Sequence, residues 1–251
     1  MFKVDIFDGK QNYSLSEQIG AFQVMEYQKD LSVTKETAFY EYYAQKMNIH
    51  KKQLLCDLSR SDVNIQAGAM QWFVGDVHTT TGVKGVGDFL GKAFKGAVTQ
   101  EGAIKPEYSG TGLLVLEPTY KHIILMDVSK WYGGLVLEDS LYLASESSLR
   151  QEVVMRKSFS SAALGNEGLF NLCFIGNGVV ALESPIPKDE LIEVTLENDE
   201  LKVDGSYAIC WSKGLSFTVE RSSGSLIGSA ASGEGLVNVF RGTGKVLMAT
   251  I

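Results

Sequence analysis

The sequence predicts an all-β protein of three β-sandwich modules, with two short helical insertions in the first module. Three observations point there. Apolar and polar residues alternate with period two in several runs. Glycine is abundant, at 26 of 251 residues, while proline is scarce at four. Glycine-marked strand motifs also recur along the chain in a fixed order. Period-two alternation turns one face of a strand to a core and the other to solvent. Glycine supplies the positive φ that tight turns need, whereas proline removes a ladder donor, so both counts suit a chain of strands and turns.

Taken in order, Phe2, Val4 and Ile6 alternate with Lys3 and Asp5, which predicts a strand at the N-terminus rather than a signal peptide. Thr34 to about His50 reads as a helix, with Phe39, Tyr43 and Met47 spaced by four and Ala38 and Tyr42 beside them. Glu36 near its start and Lys51 and Lys52 near its end suit the helix dipole. A second short helix is expected over 86–98, carrying Phe89, Leu90, Phe94 and Val98. Later strands are expected where Ile192, Val194 and Leu196 alternate with Glu193, Thr195 and Glu197. Leu215, Phe217 and Val219 alternate in the same way with Ser216, Thr218 and Glu220. Turns are expected at Gly133-Gly134, Asn177-Gly178, Asn198-Asp199 and Gly242-Thr243-Gly244, with Asn177-Gly178 the strongest hairpin signal.

One motif occurs three times, as Ser109 to Leu116, Asn166 to Leu172 and Ser232 to Val239. The last two copies run on into Gly176-Asn177-Gly178 and Gly242-Thr243-Gly244. A weaker motif precedes each copy: Gly68-Ala69-Met70-Gln71-Trp72, Ser140-Leu141-Tyr142-Leu143 and Gly205-Ser206-Tyr207-Ala208-Ile209. Self-similarity of this kind is the signature of a repeated supersecondary unit. It divides the chain into modules at 1–126, 127–185 and 186–251, the first carrying both helices. Gly68, Gly112, Gly168, Gly178, Gly205, Gly235 and Gly244 are its structural markers.

Net charge is −7, and the deficit is local. Between Glu183 and Asp204 lie eight acids and two bases, which reads as a solvated hairpin whose charges guard a strand edge. The strongly basic balance that nucleic acid asks for is lacking, so RNA is a secondary expectation. Cys56, Cys173 and Cys210 lack C-x-x-C spacing and read as buried reduced thiols of a cytoplasmic protein. No run approaches the ~18 apolar residues of a membrane span.

His50, His78 and His122 stand in no metal-binding pattern, so no metal is expected. The glycine-rich stretch 82–96 fails the phosphate-loop spacing, since Val86 stands where glycine is required and Ala93 replaces the hydroxyl. Lys84, Lys92 and Lys95 beside Phe89 and Phe94 form a candidate partner or membrane surface on what otherwise reads as a capping helix. No serine stands in G-x-S-x-G. The expectation is a non-enzymatic protein without cofactor, with RNA binding and small-molecule binding as alternatives, and with an unidentified protein or a second copy as partner.

Asn166-Glu167-Gly168-Leu169, Ser232-Gly233-Glu234-Gly235-Leu236, Phe240 to Val246 and the Gly68-Ala69-Met70 turn resemble a widespread bacterial family of unknown function. Its mitochondrial relative is an "altered inheritance of mitochondria" biogenesis protein. The resemblance covers roughly 60–251. It implies a fold similar to the tryptophan RNA-binding attenuation protein, with TRAP-like modules of double-stranded β-helix type around a pseudo-threefold axis. The mitochondrial member is implicated in organising inner-membrane architecture, so the resemblance implies a scaffold or binding role. It carries over no catalytic residue.

Overall fold

The computed structural model describes residues 2–7, 12–81, 105–155, 157–158, 170–205, 207–221 and 236–249. Strands dominate, in two curled, barrel-like sheets. The first seven are β1 (Tyr13–Ile19), β2 (Phe22–Tyr27), β3 (Lys52–Asp57), β4 (Val63–Ile65), β5 (Met70–Thr80), β6 (Glu107–Leu116) and β7 (His122–Asp127). Then come β8 (Leu135–Leu137), β9 (Tyr142–Glu146), β10 (Arg150–Met155), β11 (Lys157–Ser158), β12 (Phe170–Ile175) and β13 (Val179–Ser184). The last are β14 (Ile192–Asp204), β15 (Ala208–Ser212), β16 (Ser216–Arg221) and β17 (Leu236–Met248). An α-helix, α1 (Ala38–Lys46), stands between β2 and β3.

The first sheet runs β1-β2-β3-β6-β4-β9-β13-β7, with β5 on the other edge of β6. The second runs β10-β12-β8-β15-β17-β16-β11, with β14 on β17. Strands up to β7 lie in the first sheet and those from β14 onward in the second. Between them, β9 and β13 join the first while β8, β10, β11 and β12 join the second. The chain between 135 and 184 therefore stitches the sheets together. One apolar cluster takes Ile124, Tyr142, Val180 and Leu182 from the first sheet and Leu135, Leu137, Phe174, Ile209 and Leu247 from the second. At its centre Tyr142 and Phe174 are stacked with centroids 5.5 Å apart, both fully buried. Burying each such side chain is worth roughly 1.5–3 kcal/mol.

Several expectations change. Residues 2–4 are not a strand and Asp5–Phe7 is a 3-10 turn. Val4 and Ile6 instead lay their apolar sides on the outer face of the first sheet, against a cluster of Met25, Leu55, Leu113 and Val115. Asn177-Gly178 is no hairpin tip. It lies where the chain crosses from β12 in one sheet to β13 in the other. Asn198-Asp199 and Gly242-Thr243-Gly244 are not turns either. They face each other inside the long β14–β17 pair, where the register slips between Leu196 and Asp199. Asn198 has φ +55°, and its amide donates to Thr243 Oγ1 at 3.1 Å. Turn-forming residues on both strands thus bend a continuous ladder, a β-bulge in place of a reversal.

The pairing also moves the first copy of the main motif. In sequence, Ser109-Gly110-Thr111-Gly112 aligns with Asn166-Glu167-Gly168. By strand register it matches Ile175-Gly176-Asn177-Gly178 and Arg241-Gly242-Thr243-Gly244 instead, at a spacing of 66 residues. Gly110, Gly176 and Gly242 share φ values of +112°, +123° and +118°. Gly168 and Gly235 lie outside the described residues. Gly68 and Gly205 stand with Ser140 at turns of positive φ, +83°, +64° and +66°.

Glu146 is a buried carboxylate that sequence reasoning missed. Its Oε1 accepts from the Ala21 amide at 2.8 Å and its Oε2 from the Val179 amide at 3.0 Å, tying the β1–β2 turn to the start of β13. A Cβ on Gly20 would sit 2.3 Å from Oε1. The corresponding Ser212 Oγ accepts from the Lys245 amide at 2.9 Å.

Two stability measurements follow from this geometry. Gly242→Ala meets only ordinary contacts, 3.8 Å or more away, and should cost roughly 1–2 kcal/mol from the positive φ alone. Gly110→Ala has the same φ, but its methyl would lie 2.2 Å from the Asp76 carbonyl oxygen, so urea denaturation should show a distinctly larger loss. Glu146→Gln keeps the shape but turns an amide donor toward one of two backbone N–H groups. A loss of about 1–3 kcal/mol in the same assay is expected, and an unchanged midpoint would remove the carboxylate from this role.

Candidate interaction surface

Between β2 and β3, which pair with each other, the chain makes an excursion from Gln28 to Lys51 that carries α1. Its base is closed by the Tyr27 amide donating to the Lys51 carbonyl oxygen at 2.9 Å. The ring of His50 contacts the Tyr27 carbonyl oxygen through Nδ1 at 3.0 Å. Asp30 is the clamp. It meets the Lys51 ammonium at 3.0 Å and accepts from the Tyr120 hydroxyl at 2.6 Å, while its Oδ1 accepts from the Ser32 amide. Burial pushes the Asp30 carboxyl up, but the hydrogen bonds from Tyr120 and Ser32 and the Lys51 charge outweigh it, holding the pKa at about 2. Burial, then the bond to Asp30, pushes the Tyr120 hydroxyl well above its ordinary value.

The helix is shorter than the 34–50 expected. Thr34 opens a turn whose carbonyl accepts from the Ala38 amide at 2.9 Å, and Thr34 and Thr37 exchange side-chain to backbone bonds there. The larger correction concerns what the helix faces. Phe39, Tyr43 and Met47 have the period of a core stripe, yet no residue of α1 is buried. Phe39 is 65 % exposed, Tyr40 73 % and Met47 75 %, and Tyr42, Tyr43, Leu31 and Ile49 are exposed beside them. The rings pack mainly on one another, Phe39 on Tyr43 at 4.7 Å and Tyr42 on Tyr43 at 5.3 Å, with the Lys46 ammonium 5.4 Å from the Tyr42 centroid. Periodicity reports that a helix has an apolar stripe. It does not report whether this chain supplies the surface that covers it.

The expected partner surface at Lys84, Phe89, Lys92, Phe94 and Lys95 lies outside the described residues. Beside the base of the excursion, a cleft of about 300 Å³ is lined by Ile6, Tyr27, Lys51, Gln53, Gln71 and Trp72, among others. Its buried Gln53 accepts from the Tyr27 hydroxyl at 2.6 Å and donates to Gln71 Oε1 at 2.7 Å and to the Leu116 carbonyl oxygen at 2.9 Å. Those polar groups are spent on the protein itself. Cys56, Cys173 and Cys210 are free and buried. Burial raises all three thiols, Cys173 to about 11, which keeps the thiolate scarce. His78 pairs with Asp76 on the surface, and burial followed by the Lys52 charge pushes His122 below its ordinary value. Among the described residues, no three His, Cys, Asp or Glu side chains gather to hold a metal ion. No helix there is long and apolar enough to cross a membrane.

A family model described as mitochondrial biogenesis AIM24 matches residues 45–251. An uncharacterised protein of Streptococcus pyogenes serotype M6 is 26% identical over 198 residues, 75% of this chain and 77% of that protein. The X-ray crystal structure of a protein from Streptococcus pyogenes is similar at a TM-score of 0.58 and 23% identity, across 81% of this chain and 89% of that one. That likeness bears on the fold alone.

The clamp at Asp30 gives a pH dependence with a definite sign. A carboxyl lowered in the folded state stabilises fully above its unfolded pKa, and that contribution is lost as pH falls through the folded one. Amide exchange in residues 28–51 should therefore quicken as pH drops from about 4 to about 2, after correction for intrinsic rates. Asp30→Asn should exchange at the faster level throughout, and a flat profile in the wild type would remove the clamp.

Proposed function

The chain belongs to the mitochondrial biogenesis AIM24 family, and from that premise we propose that it is a non-enzymatic scaffold that binds a protein partner through α1. The observation that carries this reading is a nine-residue helix with four aromatic side chains and none of its residues buried. A short helix gains little stability from propensity alone, and helices in proteins are normally held by burying an apolar face. Tyrosine and phenylalanine are the side chains that interfaces favour as anchors, because each offers a large rigid surface at low entropic cost. The clamp at Asp30 holds the excursion by its base and leaves the rings outward.

Residues 38–44 of α1, together with β1 and β2, precede the family match, which begins at residue 45. On this reading docking through α1 belongs to this chain in particular, while the strands from β3 onward are what the family match covers. The three-module, TRAP-like organisation is part of the same proposal. Its support is the shared φ of Gly110, Gly176 and Gly242, together with equivalent backbone bonds from Glu117, Glu183 and Ala249 to Ala69, Leu141 and Tyr207.

The test places a photoreactive phenylalanine analogue at Tyr42 of the full chain in its native cell. The adducts are compared with those of a second chain that also carries Phe39→Ser and Tyr43→Ser. One protein adduct should dominate and fall at least tenfold in the second chain, with circular dichroism unchanged. Adducts that are the same in both chains, or that contain RNA in place of protein, would overturn the reading.

A further inference from the structure

Two seams in this fold join a strand of one part of the chain to a strand of the next, and they share one register. At the first, Val63, Asn64 and Ile65 of β4 pair antiparallel with Glu146, Ser145 and Ala144 of β9. At the second, Leu135, Val136 and Leu137 of β8 pair with Ser212, Trp211 and Cys210 of β15. Equivalent backbone bonds flank each seam. The Gln66 amide donates to the Leu143 carbonyl oxygen and the Ser147 amide to that of Asp62. At the second seam Glu138 donates to Ile209, and Lys213 to Gly134.

Each lending strand is held on its other side by the strand that follows in its own part. Val63 pairs with Tyr108, Leu135 with Phe174, and Leu201 of β14 with Phe240, again 66 residues apart on the partner strands. Each receiving strand is likewise held on its other side, through Ala144 with Ala181, Cys210 with Leu247, and Trp72 of β5 with Val115. All three of those pairs have a register slip one or two residues to the N-terminal side, between Tyr142 and Ala144, Ala208 and Cys210, and Met70 and Trp72. The third lending strand is therefore Leu201-Lys202-Val203, with the same apolar-x-apolar pattern as Val63-Asn64-Ile65 and Leu135-Val136-Leu137. The third receiving strand is Trp72-Phe73-Val74. Yet β14 pairs only with β17 and β5 only with β6 among the described residues, and the apolar side chains of these two stretches fall in different clusters.

We propose that the third seam forms between copies. Leu201–Val203 of one copy adds to the edge of β5 that no described strand covers in the next, with Val203 opposite Trp72, Lys202 opposite Phe73 and Leu201 opposite Val74. The Asp204 amide then donates to the Gln71 carbonyl oxygen and the Gly75 amide to that of Glu200, as at the two inner seams. The edges are different strands, so the contact is head-to-tail and builds a ring or a filament according to whether the rotation closes. Pairing beyond this stretch meets Asp199 opposite Asp76, and like charges facing each other across strands keep the seam short. The inference rests on strand register and stands apart from the docking role of α1.

Cross-linking of the full chain tests it. Lys202→Cys and Phe73→Cys are made on separate chains, at two exposed side chains that face each other in the proposed register. Directly opposed antiparallel residues have Cα atoms about 4.5–5.5 Å apart, within the range a disulfide spans. The three native thiols are buried and do not compete. Under mild oxidation the mixture should give a covalent heterodimer, at least fivefold above Asp204→Cys mixed with Phe73→Cys, which is two residues out of register. A chain carrying both Lys202→Cys and Phe73→Cys should give covalent multimers. A cross-link closing within one monomer of that double variant, or equal yields from the two mixtures, would overturn the proposal. Circular dichroism of each variant reports folding separately.

Discussion

A β-strand leaves unpaired N–H and C=O groups on any edge that another strand does not cover, and leaving such groups buried and unpaired costs more than a typical hydrogen bond returns. That requirement organises this protein. Long neighbouring strands cannot meet it alone, because bulges at Trp72, Ala144, Cys210 and Asp199 interrupt the ladders and bend the sheets. Three-residue strands are lent forward instead, β4 to β9 and β8 to β15. Between those seams the chain changes sheets, and the cluster around Tyr142 and Phe174 forms where it does so. Pairing and packing thus fall on the same residues, and neither sheet is independent of the other.

The sequence made the class of structure plain and much of its connectivity obscure. Alternation marked β14 and β16: in β14 Leu196 and Val203 are buried between exposed neighbours, and in β16 Phe217 packs against the cluster that holds Trp211 and Phe240. It failed at residues 2–7, where Val4 and Ile6 alternate correctly but the backbone forms a 3-10 turn over the sheet. Asn177-Gly178 and Asn198-Asp199 show why turn signals misled. Positive φ is a local property, and it serves a hairpin, a crossover between sheets or a bulge in a continuous strand. What separates these is which strand lies alongside, a long-range fact that no window of residues contains. The sequence motif sets Gly112 beside Gly168, whereas Gly110, Gly176 and Gly242 are the glycines that share a backbone conformation. The spacing of 66 between Gly110, Gly176 and Gly242 was present in the sequence, but the stronger local match of Ser109 to Leu116 with the glycine motif at Asn166 obscured it.

Of the eight acids between Glu183 and Asp204, five lie along the single long strand β14 rather than in a hairpin, Asp189 and Glu190 lie in a 3-10 turn, and Glu183 lies in β13. Glu193 meets Lys245 at 2.7 Å, and Arg241 bridges Glu200 and Glu220 across β14, β17 and β16. These pairs are exposed and individually weak. Their arrangement matters more than their energy. Arg241 and Lys202 both pair with Glu200, just before the apolar-x-apolar stretch 201–203. The α1 surface differs in kind, since its rings are held outward by a helix that buries nothing, and no sequence period distinguishes a stripe awaiting a partner from one facing a core.

The two exposed features also differ in the strength each can support. A three-residue strand contributes a handful of backbone hydrogen bonds at about 1 kcal/mol each. Within one chain that is sufficient, because β4 and β8 are already positioned by their own neighbours and little freedom is lost on pairing. Between chains the same bonds must offset roughly 4–15 kcal/mol of lost translational and rotational freedom. A seam of this length holds copies together only when they are concentrated or already brought side by side. An aromatic anchor surface that gathers copies on a common partner supplies that proximity, because linked contacts turn a second association into an intramolecular one. On the two proposals together, the helix sets where copies meet and the strand edge sets how they align.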